Sequence, residues 1–241
     1  MIYLTNFTNH TNYNLSKDNL SKPNISVCLE ERDVYYNPYI DPYNGHDYIE
    51  IGGIKWATMN VGANSVTDTG LYFQWGDTQG YTADQVGSGE GQKLFDWANY
   101  KFNPSGDGKT MSKYNDEDDL ITLQSSDDAV TAAWGGSWRM PTKEEFTELL
   151  SNTNHVWAQV DGVSGMMCTD KTDETKTLFF PACGVALSSV VISVGSNGYY
   201  WSSSLSDSGV NNGSFLNFSN NSCSTGGIAR CYGYTVRGVI D

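Results

Sequence analysis

This chain is short of charge. Asp, Glu, Lys and Arg make up 17% of its 241 residues, against about 25% in ordinary soluble domains. The charge present is one-sided: 28 acidic residues face 14 basic ones, for a net −14. A phosphate backbone needs a basic face, so nucleic acid is excluded as a partner, and anionic membrane surfaces are disfavoured for the same reason. No apolar run approaches the roughly 20 residues of a bilayer span, so no membrane insertion is expected. Histidine is scarce, with only His10, His46 and His155. None has a metal-binding partner at i+3 or i+4, which excludes three-His and HExxH zinc sites. The five cysteines, Cys28, Cys168, Cys183, Cys223 and Cys231, are odd in number and contain no CxxC. They signal neither a structural zinc site nor a disulfide framework. There is no Gly-x-Ser-x-Gly elbow and no phosphate-cradling glycine loop. The start, Met1-Ile-Tyr-Leu-Thr-Asn-Phe-Thr8, has neither the basic nor the apolar region of a secretory signal, and none is expected.

What is present is glycine (25 residues) and aromatics (13%), with abundant Ser, Asn and Tyr. That composition points to short strands and many turns, and the length suffices to bury a real core. Residues 1–45 differ from the rest: they are Asn-, Thr- and Tyr-rich, with one alternating stretch, Ile25-Ser-Val-Cys-Leu29. Pro38, Pro42 and Asn44-Gly45 mark a boundary. This segment reads as an arm for attachment or oligomerisation, and a homo-oligomer joined through it is one expected partner. Residues 46–241 form the domain. Tyr48-Ile-Glu-Ile51, a Gly52-Gly53 turn and Ile54-Lys-Trp-Ala-Thr-Met59 read as a hairpin. Tyr72-Phe-Gln-Trp75 reads as a short strand and 77–95 as a glycine-rich loop. A helix is expected from about Ser126 to Trp134, with Ser126 or Asp127 as N-cap. A second opens with the capping box Thr142-Lys-Glu-Glu145 ahead of Phe146, Leu149 and Leu150. After Thr177 the pattern is all strand: Leu178-Phe-Phe180, Gly184-Val-Ala-Leu187, Tyr199-Tyr-Trp-Ser202, Phe215-Leu-Asn-Phe218 and Tyr234-Thr-Val-Arg237. Two helices followed by many short strands make an α+β domain.

Acidic clusters invite a calcium reading, but EF-hand spacing is missing. Asp116-Glu-Asp-Asp119 reads as a solvated loop and Asp127-Asp128 as helix N-terminal capping. In Gly135-Gly-Ser-Trp-Arg-Met-Pro-Thr142, Trp138 and Met140 should pack into the core together with Trp134, and Arg139 should bridge to carboxylates or carbonyls.

The carboxyl-terminal stretch carries a second absence. Lys, Glu, Gln, Met and Trp number 37 in residues 1–176, yet only Trp201 represents them in 177–241, where an even spread would put about 14. A strand-and-loop composition could remove Lys and Glu, but it gives no reason to remove Gln and Met.

Five motifs resemble one family: Tyr48-Ile-Glu-Ile-Gly-Gly-Ile-Lys-Trp-Ala-Thr-Met-Asn-Val-Gly-Ala63, Gly70-Leu-Tyr-Phe-Gln-Trp-Gly76, Trp134-Gly-Gly-Ser-Trp-Arg-Met-Pro-Thr142, Tyr200-Trp-Ser-Ser203 and Gly233-Tyr-Thr-Val-Arg-Gly-Val239. Across about 48–241 the chain resembles the Fibrobacter-succinogenes-type major paralogous domain of Bacteroidetes and their phages. That resemblance implies a C-type-lectin-like fold related to formylglycine-generating enzymes. Some members are variable proteins of diversity-generating retroelements, in which adenines of template Asn codons are randomised. Such randomisation cannot produce Lys, Glu, Gln, Met or Trp, the residue types missing after 177. The resemblance implies a variable region of about 196–235. Its fixed scaffold would be Tyr200, Trp201, Ser202, Ser203, Leu216, Phe218, Arg230, Gly233, Val236, Arg237 and Val239. Its ligand-binding variable positions would be Tyr199, Ser204, Phe215, Asn217, Ser219, Ser222, Ser224, Gly226, Gly227, Ile228, Ala229, Cys231, Tyr232 and Tyr234. Large aromatics beside Ser, Gly and Asn have the composition of a paratope, and Tyr199, Phe215, Ile228, Tyr232 and Tyr234 should share one solvent-facing surface.

The implied function is binding without catalysis, as a phage receptor-binding or tail-tip protein that recognises a host-surface protein or glycan. The location is then the virion, or otherwise the cell surface. No cofactor is expected. The Glu-Pro-Asn and Gln-Pro-Asp loops of calcium-dependent lectins are absent, and nothing supports a structural calcium ion. Two alternatives stand beside this reading. One is a surface or fimbria-associated adhesin domain with a fixed carboxyl terminus. The other is a formylglycine-generating-type oxidase, for which Cys223 and Cys231 would have to supply the cysteine pair.

Overall fold

A computed structural model describes residues 44–88 and 94–240, all within one unit, Asn37–Asp241. The arm read over 1–45 and its Ile25–Leu29 strand therefore lie outside the described residues, apart from Asn44 and Gly45. The described part is mixed α+β: three short α-helices and mostly antiparallel strands in small sheets. Among the described residues no helix is long and apolar enough to cross a membrane.

The first sheet ties the two ends of the domain together. β1 (Tyr48–Ile51) and β2 (Ile54–Asn60) form the expected hairpin through Gly52-Gly53, and β11 (Arg237–Ile240) pairs with the other edge of β2. Tyr72–Trp75 is not a strand. It makes single bridges, Tyr72 to Tyr81 and Phe73 to Tyr234, so its backbone is shared between two neighbours. The 77–95 loop contains α1 (Ala83–Gly87), started by a Thr82–Gln85 capping box that the glycine count hid.

The expected first helix splits. A 3-10 turn covers Ser125–Asp127, and α2 (Ala129–Trp134) follows with Asp128 as N-cap, in place of Ser126 or Asp127. The Asp128 carboxylate accepts from Val130 N and Thr131 N, each at 2.9 Å, and from Met140 N at 2.8 Å. Asp127 is otherwise engaged, accepting from Lys101 Nζ, Lys113 Nζ and Tyr114 Oη. Burial works against its charge, but the hydrogen bonds from Lys113, Tyr114 and Lys101 outweigh it and hold the carboxyl below its ordinary value. A carboxyl depressed in the folded state stabilises fully above the unfolded value of about 3.9 and loses that contribution as pH falls through the folded value. Asp127→Asn should therefore cost about 1–3 kcal/mol at pH 7. The gap to the parent should close in chemical denaturation series carried below pH 4, and a gap that persists there would contradict the assignment.

α3 (Lys143–Asn152) begins as expected, with Thr142 and Glu145 capping each other and Phe146 and Leu149 buried. Glu145 also receives both terminal nitrogens of Arg139, at 2.7 and 2.6 Å, the carboxylate bridge anticipated for that motif. Trp138 and Met140 are buried, while Trp134 packs half-buried against the core.

A hairpin unread in the sequence follows. β3 (Thr153–Val160) and β4 (Val163–Asp170) turn through Asp161-Gly162, both at positive φ, a two-residue turn chemistry that favours tight hairpins. β5 (Thr177–Pro181) completes that sheet. β6 (Val185–Leu187) and β7 (Val190–Ile192) form a small ribbon. The last sheet has the order β10-β9-β8, from β8 (Asn197–Leu205), β9 (Asn212–Ser219) and β10 (Cys223–Ala229). Tyr234–Val236, expected as a strand, is a bridge segment, and regular pairing begins at Arg237.

Candidate binding face

Side chains alternate across a strand, and in the β8–β10 sheet the alternation divides two kinds of residue. Cross-strand partners are Tyr199–Asn217–Ser224, Trp201–Phe215–Gly226 and Gly213–Ile228. Tyr199, Phe215, Asn217, Ser219, Ser224, Gly226 and Ile228 therefore share one face. Tyr200, Leu216 and Phe218 point the other way, into a core with Trp56, Phe146 and Leu149. The face lies away from α3, and its residues are half-buried or exposed.

Aromatic rings run across this face. Tyr199 and Phe215 lie 6.2 Å apart, Tyr199 stacks on Tyr234 at 5.0 Å, and Phe215 lies 5.3 Å from Tyr234. Segment 233–235 extends the sheet beside β8 through a parallel bridge between Tyr200 and Thr235, which puts Tyr234 on the same side as Tyr199 and Trp201. Asn217 Nδ2 donates to Ser224 Oγ at 3.1 Å, and Ser219 and Ser222 exchange a hydroxyl hydrogen bond at 3.0 Å.

Three of the residues expected on the solvent-facing surface are not there. Tyr234 is 3% exposed, Cys231 1% and Ser204 8%. Tyr234 is enclosed because its backbone bonds Phe73 in both directions, at 2.9 and 3.0 Å, and its ring lies 4.4 Å from Trp201. Burial, first of all, pushes its phenol well above the ordinary value. Burial likewise pushes the Cys231 thiol up to about 12. Ser204 Oγ accepts the Lys143 N–H at 3.0 Å and so serves the first turn of α3. Gly227 and Ala229 have the opposite parity from Ile228, although Gly227 is exposed beside Ser206. Tyr232, half-buried, follows β10 near Tyr234. Of the five large residues expected to cluster, Tyr199 and Phe215 form the accessible pair, Ile228 shares their face, Tyr232 flanks it, and Tyr234 is its buried support.

Beneath lies a scaffold of buried Trp and Arg. Trp201 Nε1 donates to Phe73 O at 2.8 Å and Trp75 Nε1 to Ser202 O at 2.9 Å. Arg237, fully buried, donates to Asn60 Oδ1, Ala57 O and Phe179 O at 2.8–3.0 Å. Arg230 sits 4.7 Å over Trp75 and donates to the carbonyls of Lys113 and Tyr114. No carboxylate pairs directly with either guanidinium in these contacts. Carbonyls hold them, and burial first of all lowers both pKa values.

Two glycines of this sheet discriminate its sides. A Cβ on inward-facing Gly198 would come within 2.0 Å of the buried Phe218 ring, whereas one on outward-facing Gly226 would meet Phe215 at 3.2 Å. Gly198→Ala should cost about 1–3 kcal/mol by overpacking, and Gly226→Ala should stay within about 0.5 kcal/mol. Equal melting temperatures for the two variants would erase the distinction between faces.

Among the described residues, no group of three or more His, Cys, Asp or Glu side chains could hold a metal ion. Cys223 opens β10 and Cys231 follows its far end. They lie at opposite ends of the strand and are both free, so they are not placed as a pair.

An open cleft of about 410 Å³ lies between β3–β4 and the β9–β10 turn, with Trp157 and Phe218 in its wall. Trp157 was not singled out in the sequence. The Asp161-Gly162 turn was the signal that could have placed it on a strand. A second cleft, of about 420 Å³, is lined by Ile121, Lys143, Glu144 and the Ser204–Asp207 stretch.

Compared with protein-family models, with curated proteins and with solved structures, the chain has no match in any of the three.

Proposed function

We propose that this protein is a non-catalytic ligand-binding protein with a C-type-lectin-like domain of the Fibrobacter-succinogenes-type major paralogous kind. Its carboxyl-terminal strands carry a binding face diversified by a retroelement. In this reading it is a phage receptor-binding or tail-tip protein, and its ligand is a protein or glycan on the host surface. One observation carries the proposal. The positions that the resemblance makes variable on β8–β10 fall mainly on one half-buried or exposed face, the fixed Trp201 is the buried floor of that same face, and the fixed Tyr200, Leu216 and Phe218 lie behind it. Close packing rejects random replacement, since overpacking alone costs about 1–3 kcal/mol, so only an outward face can tolerate continual change. The aromatic pair Tyr199 and Phe215, amid Ser, Asn and Gly, supplies contact area at low entropy cost and adaptable hydrogen bonding.

Burial of Tyr234, Cys231 and Ser204 narrows the face to Tyr199, Phe215, Asn217, Ser219, Ser222, Ser224, Gly226 and Ile228, with Gly227, Ala229 and Tyr232 at its margin. The same burial favours, as a second reading, an adhesin domain whose carboxyl terminus is fixed. Sequencing the flanking DNA separates the two. A near-identical repeat of the 3′ end, differing at adenines, beside a reverse-transcriptase gene is expected from diversification. A flank with neither would leave the fixed adhesin. The oxidase alternative requires a cysteine-oxidising turnover on sulfatase-type peptides that disappears in Cys223→Ser or Cys231→Ser. None is expected, since burial raises both thiols, Cys223 to about 11 and Cys231 to about 12, far from thiolate reactivity.

A further inference from the structure

The cleft between the β3–β4 hairpin and the β9–β10 turn has a chemistry of its own. Trp157, Met166 and Phe218 form its apolar wall, and His155 with turn residues 219–222 forms its rim. Trp157 is half-buried and meets Phe218 edge-to-face at 6.4 Å. Its volume, about 410 Å³, lies within the usual range for small-ligand clefts, about 300–1,000 Å³.

Three features define what could fill it. Among the described residues, no Asp, Glu, Lys or Arg lines the cleft. A charged ligand would therefore meet no counter-charge there and would lose hydration without return. The rim is rich in neutral polar groups: the Asn220 and Asn221 carboxamides, each with two donors and an acceptor, and the Ser219 and Ser222 hydroxyls. Among the described residues, the indole N–H of Trp157 and the side chains of His155, Asn220 and Asn221 have no hydrogen-bond partner. Such groups stay open to a ligand's hydroxyls. An aromatic wall opposite neutral amides and hydroxyls suits a ligand with one apolar C–H face and a periphery of hydroxyls.

We infer that this cleft binds a neutral glycan, one or two hexose-sized rings, with the sugar's C–H face against Trp157 and its hydroxyls on Asn220 and Asn221. The site is separate from the aromatic face on β8–β10 and does not depend on diversification, although Ser219 and Ser222 border both.

The full chain, carrying ¹⁵N-labelled tryptophan, is titrated with maltotriose, cellotriose, mannotriose and di-N-acetylchitobiose, with a sulfated heparin disaccharide as charged comparison. The Trp157 indole signal is assigned by its absence in Trp157→Phe. At least one neutral sugar should move that signal saturably. The exposed-turn variant Asn220→Ala/Asn221→Ala, with an unchanged melting temperature, should bind it at least tenfold more weakly, and the heparin disaccharide should leave the signal in place. If no sugar of the panel moves the Trp157 signal, if the double variant binds as the parent does, or if the charged disaccharide binds equally well, the proposal is overturned. Because the readout is local to Trp157, attachment through the aromatic face can fail or persist without altering the result.

Discussion

Replacing Trp201 with alanine should lower the thermal midpoint by about 6–20 °C, from a cost of about 3–5 kcal/mol at roughly 2–4 °C per kcal/mol for a domain of this size. Trp201 is 0% exposed, and three effects add there. The indole leaves a cavity among Phe215, Tyr234 and their neighbours. Phe73 O loses the indole N–H but keeps the Tyr234 N–H as a donor, so the loss is one hydrogen bond, about 0.5–1.5 kcal/mol. Tyr199 and Phe215 also lose the floor that fixes their geometry. Differential scanning calorimetry measures the shift. A Trp201→Ala protein that melts with the parent would show that the rings above it do not rest on a rigid base, and the division between fixed and variable positions would fall.

The triple substitution Tyr199→Ser, Phe215→Ser and Ile228→Ser should have the opposite profile. Attachment to cells that the parent protein labels should weaken at least 100-fold, while the melting temperature drops by less than in Trp201→Ala. Aromatic anchors at interfaces are commonly worth about 2 kcal/mol or more each, about 30-fold apiece. Their effects are not additive when the rings touch, as Tyr199 and Phe215 do at 6.2 Å between centroids. Flow cytometry with labelled protein reads the attachment, and circular dichroism reads the fold. Retained attachment would place the binding surface elsewhere. Loss of fold would make these residues core, as Tyr234 proved to be.

Tyr234 marks where sequence reasoning stopped being sufficient. Nothing local distinguishes it from Tyr199: both are tyrosines in strand-like stretches next to glycine or tyrosine. What separates them is Phe73, 161 positions away, whose backbone N–H and C=O both pair with Tyr234, and Trp201, whose ring lies against that of Tyr234, while Tyr199 keeps an open flank. Ser204 differs from Ser224 for a similar reason, since the start of α3 needs its hydroxyl as an acceptor.

The amino-acid sequence by itself determined the features whose cause is local. A Thr and a Glu three residues apart start α3 because each caps the other's free backbone N–H. Period-2 alternation separates Tyr199 and Phe215 from Tyr200 and Leu216 because successive side chains of a strand must leave on opposite sides. The same local chemistry was available but unread in Asp161-Gly162, which turns the β3–β4 hairpin. The tertiary structure alone decided which face of each strand meets solvent, which residues of the outward face are enclosed after all, and which carbonyls hold Arg237. Those outcomes rest on close packing and on hydrogen bonds between segments up to 180 positions apart, and such contacts have no periodicity or spacing along the chain from which they could be read.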